Sequence, residues 1–307
     1  VIPRVLADLP VSPVVTELLA GKVELVPWDA TGRFDAVYTY GHPSVDAAMM
    51  DRLPGVKVIS NFGVGVDHIN VAAATARGIP VGNTPGILDG ATADLAFSLI
   101  LAAGRRIVEG AVYARSAAFT KYDPSYMLGR EVHHATLGIF GLGRIGEQVA
   151  KRARAFDMKV LYNNRHRRPD VEERLGVRYA SKDELLATSD YVLLMLPLTA
   201  ETRGMIGASE LRKMKPAAAL INAARGAHVD SMALAEALTR KTIRIAALDV
   251  TDPEPLPRDH PLLKLDNVII TPHLGSATEE TRRRMAEVSV ENLLAGLDGR
   301  PLLNRVN

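Results

Sequence analysis

Six short apolar runs between residues 135 and 273, separated by amphipathic stretches, constrain the fold more than any other feature of this sequence. ATLGIFG (135–141), KVLYNN (159–164), DYVLLML (190–196), AAALINA (217–223), IRIAALDV (243–250) and NVIITPH (267–273) read as strands, apolar on both faces. EQVAKRARAF, KDELLAT, ASELRKM and SMALAEALTR, between them, have helical spacing. A strand apolar on both faces must be covered on both, which a parallel sheet with crossover helices provides. The pattern predicts a doubly wound α/β domain.

The N-terminal part repeats the alternation, with RVLADL, KVELVPW, AVYTYG, VKVISNFG and IPVGNT as strands of a second, flavodoxin-like α/β layer. A long helical stretch (91–116) leads into the central domain, and a last helix (277–299) follows the final central strand. The chain therefore crosses back, and the first domain is expected to be discontinuous: 1–93 with 275–307, around a central domain over 94–274. A chain of 307 residues accommodates two cores. The formal charge of +2 comes from 37 basic and 35 acidic residues mixed along the chain, so no nucleic-acid partner is expected. No apolar run is long enough to span a bilayer. The absence of cysteine excludes disulfides and thiol chemistry and fits a reducing cytoplasm, although the start at Val1 leaves a processed N-terminus open.

Gly141, Gly143 and Gly146 follow the apolar strand TLGIF and open a helix. In that context they read as a Rossmann dinucleotide loop, with a tight turn, a close approach to pyrophosphate and close packing of helix on strand; the other reading is a helix-capping turn with no ligand. The residue that meets the adenosine ribose is expected about 20 residues on. Here it is Asn164, followed by Arg165, His166, Arg167 and Arg168. A carboxylate would repel a 2′-phosphate, whereas Asn beside guanidinium groups can hold one, so the pattern favours NADP(H). The other reading is a solvated basic loop in a protein that also accepts NAD.

Three further residues stand just past strand ends, the edge where open α/β sheets bind ligands: Arg225 in INAARG, Glu254 in ALDVTDPEP and His273 in TPHLGSAT. Hydride reduction of a carbonyl needs a proton donor, a cation to bind a carboxylate and polarise the carbonyl, and a group that keeps the donor protonated. His273, Arg225 and Glu254 supply these in that order. Singly, each also reads as a cap, a helix-end partner or a solvated charge.

From about residue 50 onward the sequence resembles the D-isomer-specific 2-hydroxyacid dehydrogenases, most closely their glyoxylate/hydroxypyruvate reductase branch. The resemblance is carried by VISNFGVGVDHIN, ARGIPVGNTPG, ATADLAFSLILAAGRR, GIFGLGRIG, LPLTAETRGMI, LINAARGAHVD, ALDVTDPEPLPRDHPL and ITPHLGSAT, in that order. It implies that Arg225 binds the 2-oxo acid and that Glu254 orients His273, the acid in reduction and base in oxidation. It also implies that the Val64 and Gly65 amides receive the substrate carboxylate, and that Gly143, Arg144 and Ile145 form the phosphate turn. Arg165 to Arg168 match the 2′-phosphate segment of NADP-using relatives. Pro197, Thr202, Ala223 and Asp249 match positions lining the cofactor, Thr92 faces the nicotinamide, and Gly275 and Ser276 complete the pocket. Relatives pair through an arm corresponding to residues 108–135, which implies a homodimer.

Departures narrow the substrate. The arm lacks the tryptophan several relatives place there; the single tryptophan is Trp28, leaving Tyr122 or Tyr126 as substitutes. The VGVDH region has no lysine, as phosphite oxidation requires, and Thr271-Pro272 stands where formate-oxidising relatives carry glutamine. A chain ending at Asn307 leaves no room for the regulatory domain of phosphoglycerate dehydrogenases. Small 2-oxo acids remain, glyoxylate and hydroxypyruvate first. Bulkier acids such as phenylpyruvate, and a dinucleotide-sensing corepressor without turnover, are the competing readings.

Overall fold

The computed structural model describes every residue but Val1 and Leu9. It divides the chain into two compact units, Val1–Leu88 with Ser276–Asn307, and Asp89–Gly275. Residues 89–93 and 275 thus fall in the second unit, because helix α4 already begins at Asp89 and Gly275 is held by Asp249.

In the first unit, strands β1 (Arg4–Ala7), β2 (Glu24–Pro27), β3 (Ala36–Thr39), β4 (Ile59–Asn61) and β5 (Val81–Gly82) form a parallel sheet in the order β2-β1-β3-β4-β5. This is the flavodoxin-like order. Of the strand expected over RVLADL, Leu9 lies outside the described residues. Short helices α1 (Pro13–Leu19), α2 (Ala47–Asp51) and α3 (Val71–Ala76) join the strands, each started by a side chain that accepts an orphan amide: Ser12, Asp46 and Asn70.

The second unit opens with α4 (Asp89–Arg105) and α5 (Ile107–Ala114). The single long helix expected over 91–116 is broken at Arg106, which adopts a left-handed φ of 55° while its guanidinium pairs with Glu109 at 2.8 Å. Gly104 precedes the break by two residues, but the left-handed residue itself is neither glycine nor proline. The strands β6 (Thr136–Phe140), β7 (Lys159–Asn163), β8 (Arg178–Tyr179), β9 (Tyr191–Leu194), β10 (Ala219–Asn222), β11 (Ile245–Leu248) and β12 (Val268–Ile270) lie in the order β12-β11-β10-β9-β6-β7-β8, all parallel. The interleaved helices are α6 (Arg144–Ala155), α7 (Pro169–Leu175), α8 (Lys182–Thr188), α9 (Ala208–Lys213) and α10 (Ser231–Thr239). Alternate strand residues enter different cores: Leu193 and Ile221 pack with α4 and α6, whereas Val192, Leu194 and Leu220 pack with α8 to α10. Each such buried side chain contributes about 1.5–3 kcal/mol. The chain proceeds from β6 outward to β8, then returns to β9 on the other side of β6, so the switch point opens at the carboxyl ends of β6 and β9.

The chain re-enters the first unit with α11 (Glu279–Leu297), started by Thr278. Ser289 on this helix is buried, bonded to the Tyr38 hydroxyl at 2.8 Å and accepting from Ser60 through its carbonyl at 2.7 Å. Among the described residues no helix is long and apolar enough to cross a membrane.

Candidate active site

The carboxyl edge of the seven-stranded sheet collects most of the residues singled out from sequence. At the end of β6, Gly141 has φ of 99°, and a side chain on it would strike the Met195 carbonyl; one on Gly146 would strike the Gly141 carbonyl. Gly143, by contrast, faces open space and caps α6 without a side-chain bond, so the first-turn amides at Arg144 and Ile145 lack a side-chain acceptor. An uncapped helix start behind a glycine turn is suited to a phosphate, and these residues fit the dinucleotide that their spacing implies.

Asn164 accepts the Leu142 amide at 2.7 Å, so its carbonyl oxygen is spent on shaping the glycine turn. The basic run behind it is divided in its duties. Arg167 forks onto Glu172 with both bonds at 2.7 Å. Arg168 is held by Asp170 and Glu147 at 3.0 Å and reaches the Leu142 carbonyl at 3.4 Å. The Tyr162 hydroxyl donates to Glu172 at 2.7 Å and accepts the Arg168 amide at 2.6 Å. Arg165 and His166 are exposed. A hydrogen bond from Thr199, with Arg165 adding at longer range, holds the Glu201 carboxyl below its usual range. In that loop the Thr202 hydroxyl donates to the Pro197 carbonyl at 2.9 Å.

The Arg167 fork, with the Tyr162 hydroxyl, lowers the Glu172 carboxyl from 4.5 to about 2. A lowered carboxyl contributes its stability above its unfolded value and loses it as pH falls through the folded one. Glu172→Gln is therefore expected to lower the unfolding midpoint at neutral pH, with the gap from wild type shrinking below pH 4.5 and closing near pH 2. Parallel thermal melts across that range check it; a gap that does not depend on pH would remove the ion pair as its cause.

Past β10, Asn222 is buried and shapes the turn, donating to the Arg225 carbonyl at 2.8 Å and accepting the Ala224 amide at 3.1 Å. Ala223 is buried at the same edge, and the half-buried Arg225 follows. Gly226 lies against the backbone of Thr251 and Asp252, where any side chain would collide, so the Arg225 turn abuts the loop that carries Glu254.

Past β11, Asp249 is buried and holds the final loop: it accepts from the Thr271 hydroxyl at 2.6 Å, the Leu274 amide at 2.7 Å and the Gly275 amide at 2.9 Å. A Cβ on Gly275 would stand 3.4 Å from both Asp249 and Thr92, which marks where α4 reaches this loop. His273 is held in a left-handed turn with φ of 57°, its amide bonded to the Asp249 carbonyl at 2.9 Å. Non-glycine residues rarely take this conformation, and at a site it reflects geometry imposed by the surroundings. Its Nδ1 meets the Glu254 Oε1 at 2.7 Å, and both side chains remain partly accessible. A carboxylate on Nδ1 fixes the orientation of the ring.

In the first unit, the carbonyls of Val64 and Gly65 accept from Asn83 and Asn61, both at 2.9 Å, and among the described residues their amides make no backbone hydrogen bond. That leaves two donors suited to a carboxylate. Ser276 precedes α11, where its carbonyl accepts the Thr278 amide at 2.9 Å. Trp28 packs on this unit's core, while Tyr122 and Tyr126 are exposed in the second unit's arm.

The residues that reading from sequence did not single out are Asn222, Tyr162, Glu172 and His228. None touches its partner through a recognisable motif, although the asparagine of INAARG stood within one.

Comparison with known proteins agrees with the geometry. The sequence model of the family described as D-isomer specific 2-hydroxyacid dehydrogenase, NAD binding domain, matches residues 97–275. A glyoxylate reductase of Aeropyrum pernix is 42% identical over 99% of this chain and 96% of its own length. A Thermus thermophilus protein of known structure superposes with a TM-score of 0.89 at 45% identity, covering 99% of this chain and all of its own. An NADPH-dependent glyoxylate/hydroxypyruvate reductase from Sinorhizobium meliloti, solved with NADP and malonate, superposes with a TM-score of 0.90 at 32% identity, covering 99% of this chain and 96% of its own. With a nucleotide-binding edge that carries a glutamate-oriented histidine, and relatives of this identity along nearly its whole length, the chain belongs to the D-isomer-specific 2-hydroxyacid dehydrogenase family of enzymes.

Proposed function

We propose that this enzyme reduces small 2-oxo acids, glyoxylate and hydroxypyruvate first, with NADPH as the preferred reductant and NADH as a poorer one. The observation that carries the reading is the 2.7 Å pairing of His273 with Glu254 on a left-handed turn at the sheet edge. When bound, the cofactor supplies the hydride. Arg225 binds the acid's carboxylate and polarises its carbonyl, His273 delivers a proton from Nε2 to the carbonyl oxygen, and Glu254 keeps the ring oriented throughout. In the opposite direction the neutral ring takes the hydroxyl proton.

The preference for NADPH rests on Arg165 rather than on the whole basic run, because Arg167 and Arg168 are already committed to carboxylates. Initial rates with NADPH and NADH, run in parallel on glyoxylate, hydroxypyruvate and phenylpyruvate, test the proposal. A preference for NADPH with either of the two smaller acids is expected. Arg165→Ala is expected to cut that preference by about 10- to 100-fold, the loss of a charge-assisted contact, while leaving NADH rates unchanged. A wild-type preference for NADH would overturn the cofactor assignment, preference for phenylpyruvate the substrate assignment, and binding without turnover of any of the three would indicate a dinucleotide sensor.

The enzyme is further proposed to be a homodimer through the arm of the second unit. Helix α5 buries none of its residues, and Ile107, Val108, Val112, Tyr122 and Leu128 are exposed along this segment. Exposed apolar surface of this kind marks an interface. Sedimentation velocity is expected to show twice the mass of one chain; a monomer at micromolar concentration would refute it.

A further inference from the structure

His228 is an ionisable side chain with 0% exposure that the reaction above does not use. Its ring lies between two backbone carbonyls, with Nδ1 3.0 Å from the Thr202 oxygen and Nε2 3.1 Å from the Leu196 oxygen. Both partners are acceptors only. A neutral imidazole carries one N–H and would set a bare lone pair against the other carbonyl, in a place closed to water. Only the imidazolium donates to both.

The two carbonyls belong to the two ends of one loop. Leu196 follows β9 and lies against the glycine turn: a Cβ on Gly141 would come within 2.8 Å of the Leu196 Cβ. Thr202 closes the loop from its other side, accepting the Thr199 amide at 2.8 Å and donating to the Pro197 carbonyl at 2.9 Å. His228 itself is fixed in place by a short ladder, since its carbonyl accepts the Ile206 amide at 3.0 Å and the Ala227 carbonyl accepts the Gly204 amide at 2.8 Å. The charged groups on the surrounding segments are Glu201 and Arg203 on the loop, Arg225 and Asp230 on the histidine's own segment, and Asp252 on the neighbouring turn. Asp230 spends its carboxylate on the Met232 and Ala233 amides, and Asp252 lies 3.8 Å from Arg203. Among the described residues no carboxylate stands within ion-pair distance of His228, so the two carbonyl dipoles are its compensation.

We propose that His228 is a positioning residue for the dinucleotide: as an imidazolium donating from both ring nitrogens, it ties the Leu196 carbonyl to the Thr202 carbonyl and holds the 196–202 loop in the shape that receives the cofactor. The inference rests on the reading that the dinucleotide lies along this sheet edge. It assigns His228 no contact with substrate and no part in proton transfer.

Selective histidine labelling with ¹⁵N and long-range ¹H–¹⁵N correlation spectra test the ring directly in the wild-type protein, the His228 signals being those lost in His228→Phe or in His228→Gln. Both ring nitrogens are expected to carry a proton; one bare nitrogen would overturn the two-donor brace. Calorimetric titration with NADPH and with NADH tests the consequence. His228→Phe, which keeps a ring and removes both donors, is expected to weaken binding about tenfold, or about 1.4 kcal/mol, with His228→Gln, which restores one donor, between it and wild type. The loss is expected in KM for NADPH rather than in kcat at saturation. Unchanged affinities in folded variants would overturn the proposal, and should the Phe variant fail to fold, the Gln variant and the wild-type spectra decide it. Wild-type protein that binds neither dinucleotide would overturn the functional reading itself, an outcome distinct from equal binding by wild type and variants.

Discussion

His273→Ala is expected to lower kcat for glyoxylate reduction by two to four powers of ten, the usual contribution of a positioned general acid, while the dissociation constant for NADPH stays within about threefold, half a power of ten. The split follows from what holds the residue. The left-handed turn is fixed by the buried Asp249, which binds the amides of Leu274 and Gly275 and the hydroxyl of Thr271, so removing the imidazole leaves the loop in place. What is lost is the group at Nε2. Steady-state rates at saturating NADPH, with calorimetric binding alongside, check both halves. Near-normal turnover would remove His273 from the reaction, and loss of binding in parallel would show that the side chain supports the loop instead.

Gly141→Ala should be among the most damaging changes of a single methyl group in the second unit. Gly141 sits at φ of 99°, and the added carbon would run into the Met195 carbonyl and come within 2.8 Å of the Leu196 Cβ. Left-handed strain costs about 1–2 kcal/mol and overpacking about 1–3 kcal/mol. Together, at about 2–5 kcal/mol, they are expected to lower the unfolding midpoint by about 4–20 °C for a unit of this size and to abolish NADPH binding, because relief requires the turn to move away from β9. Gly143→Ala is the control: nothing stands within 4 Å of the added carbon, so stability should hold while dinucleotide affinity falls. Equal melting temperatures for wild type and Gly141→Ala would refute the account of the turn.

The seven-stranded sheet was legible because its strands announce themselves: YVLL, ALIN and IAAL are buried at every position. The histidine, glutamate and arginine were legible because each directly follows such a strand within a short, unusual segment. Other features depend on partners that a linear reading does not connect. Strand β8 has two residues, neither fully buried, and exists only by pairing with β7. The break falls at Arg106, a residue type that does not favour the left-handed conformation, and not at the nearby Gly104. Helix α7 does carry local cues, with Pro169 at its start, acids in its first turn and Gly176 in a left-handed cap, but its seven residues are too few to show a helical period. The basic run before it reads as one patch in sequence. In space, Arg167 turns to Glu172 and Arg168 to Asp170 and Glu147, a division that neighbouring carboxylates decide. The bonds of Asp249 to the loop of His273 span 22 to 26 positions, which no motif encodes.

The discontinuous first unit has a consequence for the order in which the molecule is made. Residues 89–275 hold every strand and both faces of the larger sheet, so that part can complete its core as soon as it leaves the ribosome. The smaller sheet, made first, must wait: Tyr38 and Ser60 find Ser289, Val58 packs against Gly296, and Val81 bonds Val306 and Asn307 only once α11 and the residues after it have been synthesised. For most of translation the earliest-made strands therefore stand with one apolar face uncovered, and the burden of keeping the nascent chain soluble falls on whatever shields that face until synthesis is complete.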